Sequence, residues 1–480
     1  MSMALHRASA GARFSRHRCK SVQAVSPVSC TPSQLETVRA TLGAKGASVD
    51  KVAVSAGLLT GSAILVAAKD IGSGEAVLSI SDSAWLGLDA IKRSSIGAAV
   101  QGLEPWLQIA LLLIQQRFGQ PASAEWSWYV SSLPATPNSS PLFWTDEQQA
   151  MLQGSQALEN MEGYRLFYES RFQQLFGAEG SLSTGPAAAA FPASVFTWPH
   201  FLWAAASVRG RSHAPLEGDA LALVPLADSV SHRRDGNTRW RVKSTGLFGR
   251  GQQLVVEASR PIKKGEELSM DYAPDKLDNS VLLDFGCLDT TSPKAGYQLS
   301  LSLSVSDPLL DDKLDIVETA GLQASQSFDL QPNQPPPEAM LALLRLMQLQ
   351  GADAFLLESV FRNDVWGFMS EPVSQPNEAA VCTSMIEGAQ AALQGYPASI
   401  DADLALLRSG SLARGSVEEM AVQVRLGEQE ALDGLLQWFE ERQGSLKRLA
   451  YYQERRLRRL GLIDDEGRTT YDSFFEDGIA

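Results

Sequence analysis

Long apolar runs are missing from this chain. The longest, Trp106–Ile114, is interrupted by Gln108 and falls short of the roughly 18 residues that a membrane-spanning helix needs, so no membrane association is expected. Cysteine is scarce: Cys19, Cys30, Cys287 and Cys382 share no C-x-x-C spacing. That argues against a structural zinc site and a disulfide framework, and no bound metal is expected. Positive charge is in deficit, with 41 Lys and Arg against 55 Asp and Glu and a formal charge of −14. The basic footprint of a nucleic-acid binder is therefore absent, and the balance is compatible with docking a basic, lysine-bearing protein.

What is present is a globular composition, 44% hydrophobic and 20% charged over 480 residues, enough for two folded units. The first 30 residues differ from the rest. They carry Arg7, Arg13, Arg16, Arg18 and Lys20 among many Ser and Ala, and the first acidic residue is Glu36. This composition predicts an organellar transit peptide over residues 1–30; a basic tail without an address is the alternative.

Two segments share one pattern. Ala63–Ile71 runs through Gly72-Ser73-Gly74-Glu75 into Ala76–Ile80, and Leu254–Val256 runs through a similar Gly265-Glu266 turn into Leu268–Tyr272. Both read as hairpin-like β structure. Between them the texture is helical: Leu103, Trp106, Leu107, Ala110, Leu111 and Ile114 recur at helical spacing, and Met161–Phe176 and Pro199–Val208 also read as helices. A helical insert thus splits a β-rich unit. After Pro293, the alternation of Tyr297, Leu299, Leu301, Leu303 and Val305 predicts one half-buried strand. Beyond the break at Gln331–Pro337 helical patterns dominate.

Several motifs in order then resemble one family. Trp106–Leu113, Trp126–Pro134, Pro141–Trp144 and Phe201–Arg211 look like the helical insert of Rubisco-type lysine methyltransferases. Val224–His232 (V-P-L-A-D-S-V-S-H) is similar to the family's V-P-x-A-D-x-x-N-H, and Gly265–Tyr272 (G-E-E-L-S-M-D-Y) to its closing SET signature. Leu393–Leu407 and Arg425–Leu432 resemble its substrate-binding region, so the likeness spans about residues 50–450. It implies an α+β fold: a β-rich SET domain over 50–290 with a helical insert at about 95–215, then an all-α substrate-binding domain over 295–465.

The resemblance also implies a function: methyl transfer from S-adenosyl-L-methionine to a lysine of a chloroplast protein, with Rubisco large subunit and a plastid aldolase as the suggested targets. Histidine methylation is known in this architecture and stays open. The expected enzyme is a stromal monomer that binds a protein substrate and no nucleic acid. Lysine has a pKa of about 10.4, so the site must favour the neutral amine and align it.

By position, the resemblance makes Tyr272 catalytic. It assigns Gly61, Ser62, Ala63, Ser231 and His232 to the cofactor, and Arg211, Asp228 and Phe285 to the substrate. Four positions depart from the family. Ser62 and Ile64 stand where a G-x-G is usual, Ser231 replaces Asn, and Phe285 replaces a common Tyr. These support an alternative reading, a catalytically degenerate SET fold that only docks proteins.

Overall fold

The computed structural model describes residues 30–57, 62–119, 125–136, 139–245, 251–357, 364–462 and 464. Nearly all of the expected transit peptide, and Gly61, lie outside them. The described residues form two compact units, one of residues up to 294 together with 401–425, the other of 295–400 and the chain from 426.

In the first unit, β1 (Val52–Ala56) pairs antiparallel with β2 (Ala63–Ala67). A three-stranded sheet has the order β3 (Ala76–Ser81), β8 (Gly251–Ala258), β7 (Thr238–Thr245). Two-residue pairs complete the unit: β4 (Leu86–Gly87) with β5 (Ala222–Leu223), and β6 (Ser231–His232) with β9 (Ser269–Met270).

The two look-alike segments are not hairpins. β2 does not pair with β3, nor β8 with β9; each turn carries the chain from one sheet to another. Instead the segments bind each other. Ile71 and Ile262 exchange both backbone bonds at 2.9 Å, and Gly265 and Leu268 donate to Ala67 and Leu65. Leu65, Ala67, Ile71, Ile262 and Leu268 are all buried, so mutual cover of apolar surface outweighs local folding-back. At the second turn Gly265 adopts φ +83°, a conformation that a Cβ would oppose.

The insert forms its own core. Pro105–Phe118 is a helix buried on nearly all sides, with Leu107 and Ile109–Ile114 at 1% exposure or less. It packs on Gln156–Phe176 and Trp198–Arg211 through Trp106, Tyr168, Phe172 and Phe201. Residues 401–425 belong to this unit: Met420, Ala421 and Val424 pack on Trp144, Leu152 and Leu282, and Arg425 pairs with Asp403.

In the second unit, the anticipated strand is β10 (Tyr297–Ser302), with Leu299 and Leu301 buried. It pairs with β11 (Ser325–Leu330), a Ser-rich strand whose sequence carries little apolar alternation. Helices make up most of the rest, around Met340–Leu346, Val381–Ala389 and Leu435–Phe439. Inside, Arg345 and Arg442 converge on the carboxylate of Glu378, with both Arg345 and Glu378 nearly fully buried.

Candidate functional site

The helix Trp198–Arg211 is apolar along its length and delivers Arg211 at its C-terminal end. The Arg211 guanidinium lies 3.2 Å from a carboxylate oxygen of Asp228, and the Tyr129 hydroxyl donates to the same oxygen at 2.5 Å. Asp228 is fully enclosed. It sits in a 3-10 turn, Ala227–Ser229, entered through Leu226 at φ +70° and ψ −47°. Such a backbone costs about 1–3 kcal/mol and persists only when its surroundings fix it; the Leu226 side chain is wholly buried.

Two residues later the chain enters β6, which runs parallel to β9 with Ser231 opposite Ser269 and His232 opposite Met270. Asn237 clamps β9 in place: its amide donates to the Glu267 carbonyl at 2.8 Å and its oxygen accepts from the Ser269 amide at 2.9 Å. Gly236 lets the strand come close, since a Cβ there would lie 2.5 Å from the Met270 Cα. Tyr272, just past β9, is thereby set against β6. Its backbone amide donates to His232 Nδ1 at 3.3 Å and its hydroxyl to the Val230 carbonyl at 2.5 Å.

Burial holds the Tyr272 phenol well above the ordinary tyrosine range, so it stays protonated. With its hydrogen given to Val230, its lone pairs are left as acceptors. His232 accepts at Nδ1, which puts the hydrogen of the neutral ring on Nε2. That Nε2 is buried and has no partner among the described residues. Burial also lowers the His232 pKa. Ser231 gives its hydroxyl to Glu267.

Around Tyr272 stands a ring cluster. His213 lies 4.2 Å from it, Phe285 5.2 Å and His232 4.9 Å, centroid to centroid. His213 also stacks on Phe285 at 5.3 Å and meets Trp240 edge-on at 5.3 Å. The Phe285 ring forms one wall of a cavity of about 350 Å³, whose lining includes Trp106, Tyr168, Ser212, Glu217 and Lys276. At the start of β2 the Ala63 amide donates to the Cys30 carbonyl at 3.0 Å, and the Ser62 carbonyl accepts from Gly57 at 2.7 Å.

Tyr272, His232, Ser231, Arg211, Asp228 and Phe285 therefore converge. Asp228, however, does not stand free to draw in an ammonium, and Arg211 does not reach for a substrate carboxylate: each spends its charge on the other. Sequence reasoning missed Tyr129, His213, Trp240 and Asn237. The one available signal was His213, an ionisable residue directly behind an apolar helix; the others are ordinary until the chain folds around them.

The two histidines make acid stability a readout of this site. Burial, with help from Arg211, lowers the His213 pKa to about 3. The unfolded chain takes up a proton near pH 6.5 while the folded chain refuses it, so stability falls as pH drops below that value. His213 alone is expected to remove roughly 2 kcal/mol between pH 6.5 and pH 5. Urea midpoints across that range in wild type and His213→Phe should show the slope flatten in the variant; parallel slopes would refute the burial.

Comparison with known proteins completes the picture. Residues 62–273 match the SET domain family and residues 304–432 match the Rubisco LSMT substrate-binding family. An Arabidopsis thaliana [fructose-bisphosphate aldolase]-lysine N-methyltransferase, chloroplastic, is 35% identical over 84% of this chain and 82% of its own length. The Nicotiana tabacum ribulose-1,5 bisphosphate carboxylase/oxygenase large subunit N-methyltransferase, chloroplastic, is 33% identical over 91% of this chain and 88% of its own. The solved SET domain of LSMT bound to lysine and AdoHcy superposes with a TM-score of 0.78 at 32% identity, covering 91% of this chain and 97% of that one. With two relatives matched along most of their length, this chain belongs to the SET-domain protein-lysine methyltransferases of the Rubisco large-subunit type.

Proposed function

We propose that this chain transfers a methyl group from S-adenosylmethionine to a lysine side-chain nitrogen of a chloroplast protein, acting as a monomer in the stroma. The observation that carries the reading is Tyr272, a protonated phenol whose hydrogen is committed to Val230 and whose lone pairs are free. The residues fit the cofactor. His232 offers a buried Nε2 without a partner among the described residues, and Ser62 and Ala63 are proposed to bring backbone to the cofactor. Gly61 is proposed to share in this contact, with Ser231 alongside. When bound, the cofactor supplies a methyl group on a positively charged sulfur.

The chain's own residues do the rest. The rings of Phe285, Trp240 and Tyr272 surround the target nitrogen and strip it of water, which favours the neutral amine. Its lone pair would take up the methyl group that the cofactor supplies, and the ammonium so formed would give its proton to solvent. Tyr272 Oη would accept from the methyl group and keep the amine in line with it. Arg211, Asp228 and Tyr129 fix the turn that carries Val230. The protein substrate approaches by way of the cavity at Phe285, with the domain over 295–465 as its platform and the first 30 residues as the plastid address.

A docking-only role is not favoured, because relatives aligned over most of their length are named as methyltransferases. Calorimetric titration of S-adenosylhomocysteine into the full chain should give micromolar affinity. Absence of binding up to millimolar ligand would overturn the enzyme reading. Incubation with S-adenosylmethionine and either Rubisco large subunit or plastid aldolase, followed by mass spectrometry, then identifies the target.

A further inference from the structure

His213 is 3% exposed, yet neither of its ring nitrogens has a hydrogen-bond partner among the described residues. A buried polar group without a partner costs about 1–3 kcal/mol, and most such groups find one. Most neighbouring groups that could have served are committed elsewhere, while Trp240 Nε1 and His232 Nε2 are buried without a partner among the described residues, like His213 itself. The Tyr272 hydroxyl goes to Val230, the Asp228 carboxylate to Arg211 and Tyr129, and His232 Nδ1 to the Tyr272 amide. The Phe285 ring on the other contact face has no polar atom to offer.

The ring is also held where chemistry would use it. It packs 4.2 Å from Tyr272 and 5.3 Å from both Phe285 and Trp240. It follows Ser212, which together with Phe285 lines the cavity of about 350 Å³. Burial and the Arg211 charge keep the imidazole neutral, so it presents one N–H and one bare nitrogen. Such a ring is too weak a base to take the proton released in the reaction, but it can receive a hydrogen bond.

We propose that His213 is the hydrogen-bond partner of the methyl-accepting nitrogen, receiving an N–H of the target amine and so turning its lone pair toward the incoming methyl. The inference rests on Tyr272 marking the reaction centre. It carries a consequence for the product. A neutral lysine amine has two N–H groups, its monomethyl form one and its dimethyl form none. The contact is therefore available to the first two transfers and lost to the third, which makes the third the slowest.

The test compares the full chain with His213→Phe, which keeps an aromatic ring and removes both nitrogens, and with His213→Gln, which restores an acceptor. Rubisco large subunit, plastid aldolase and free, monomethyl- and dimethyl-lysine serve as acceptors, and methyl states are read by mass spectrometry. Thermal melting and S-adenosylhomocysteine affinity report folding. The expected result is a wild-type third transfer slower than the second. His213→Phe should raise KM for the unmethylated acceptor roughly 2- to 10-fold, the worth of one hydrogen bond, and remove the preference for monomethyl- over dimethyl-lysine; His213→Gln should restore the wild-type pattern. A folded His213→Phe protein with the wild-type KM and preference overturns the inference and leaves the methyltransferase reading intact. If His213→Phe does not fold, wild type decides: equal rates on monomethyl- and dimethyl-lysine overturn it. Transfer to none of these acceptors overturns the functional reading, and this inference with it.

Discussion

Replacing Tyr272 with Phe should lower kcat by about 10²–10³, the usual loss when one positioned polar group is removed from a reaction centre, while S-adenosylhomocysteine still binds. The substitution removes a single oxygen. That oxygen gives its hydrogen to Val230 and holds the only lone pairs contributed by the Tyr272 side chain. The ring itself stays among His213, His232 and Phe285, so packing survives. Loss of the hydroxyl leaves the Val230 carbonyl short of one donor, a stability cost of about 1 kcal/mol. Single-turnover rates on the methylatable protein, set beside calorimetric cofactor affinity, separate chemistry from binding. A variant within tenfold of wild type would remove Tyr272 from the chemistry.

The second large effect is on stability. Asp228→Asn keeps the shape of the side chain and an acceptor for Tyr129, but leaves the Arg211 guanidinium, 19% exposed, without a counter-charge. Breaking a buried pair from one side costs up to about 3–5 kcal/mol, because the remaining charge is left without compensation. A urea midpoint shift of that size is expected, with cofactor affinity falling alongside because the turn before Val230 loosens. A loss under about 1 kcal/mol would mean that water reaches the pair, as for an exposed bridge.

Sequence carried much of this site, and the reasons are local. Gly265–Tyr272 and Val224–His232 were legible because each is a continuous stretch in which turn chemistry and strand sit side by side. The helices Pro105–Phe118 and Trp198–Arg211 were legible from apolar spacing. The illegible parts are those decided across the chain. The pairing of Ile71 with Ile262 depends on two distant runs needing cover at once. Tyr129 meets Asp228 across 99 residues, and Asn237 meets β9 across about 30. The pairing that turned Arg211 and Asp228 toward each other also could not be read from either residue alone, because a charged residue at a helix end looks the same whether its partner is a ligand or a neighbour.

The parallel contact of β6 with β9 is two residues long on each side, too short to persist unaided. It endures through the Asn237 clamp and the bond from Tyr272 to Val230, while the eight-residue ladder of β7 with β8 is continued by β3. Such a seam is where a folded protein opens first, well before it unfolds as a whole. Because His232 lies on one side of the seam and Tyr272 just beyond the other, a single local breathing motion there loosens both halves of the centre together.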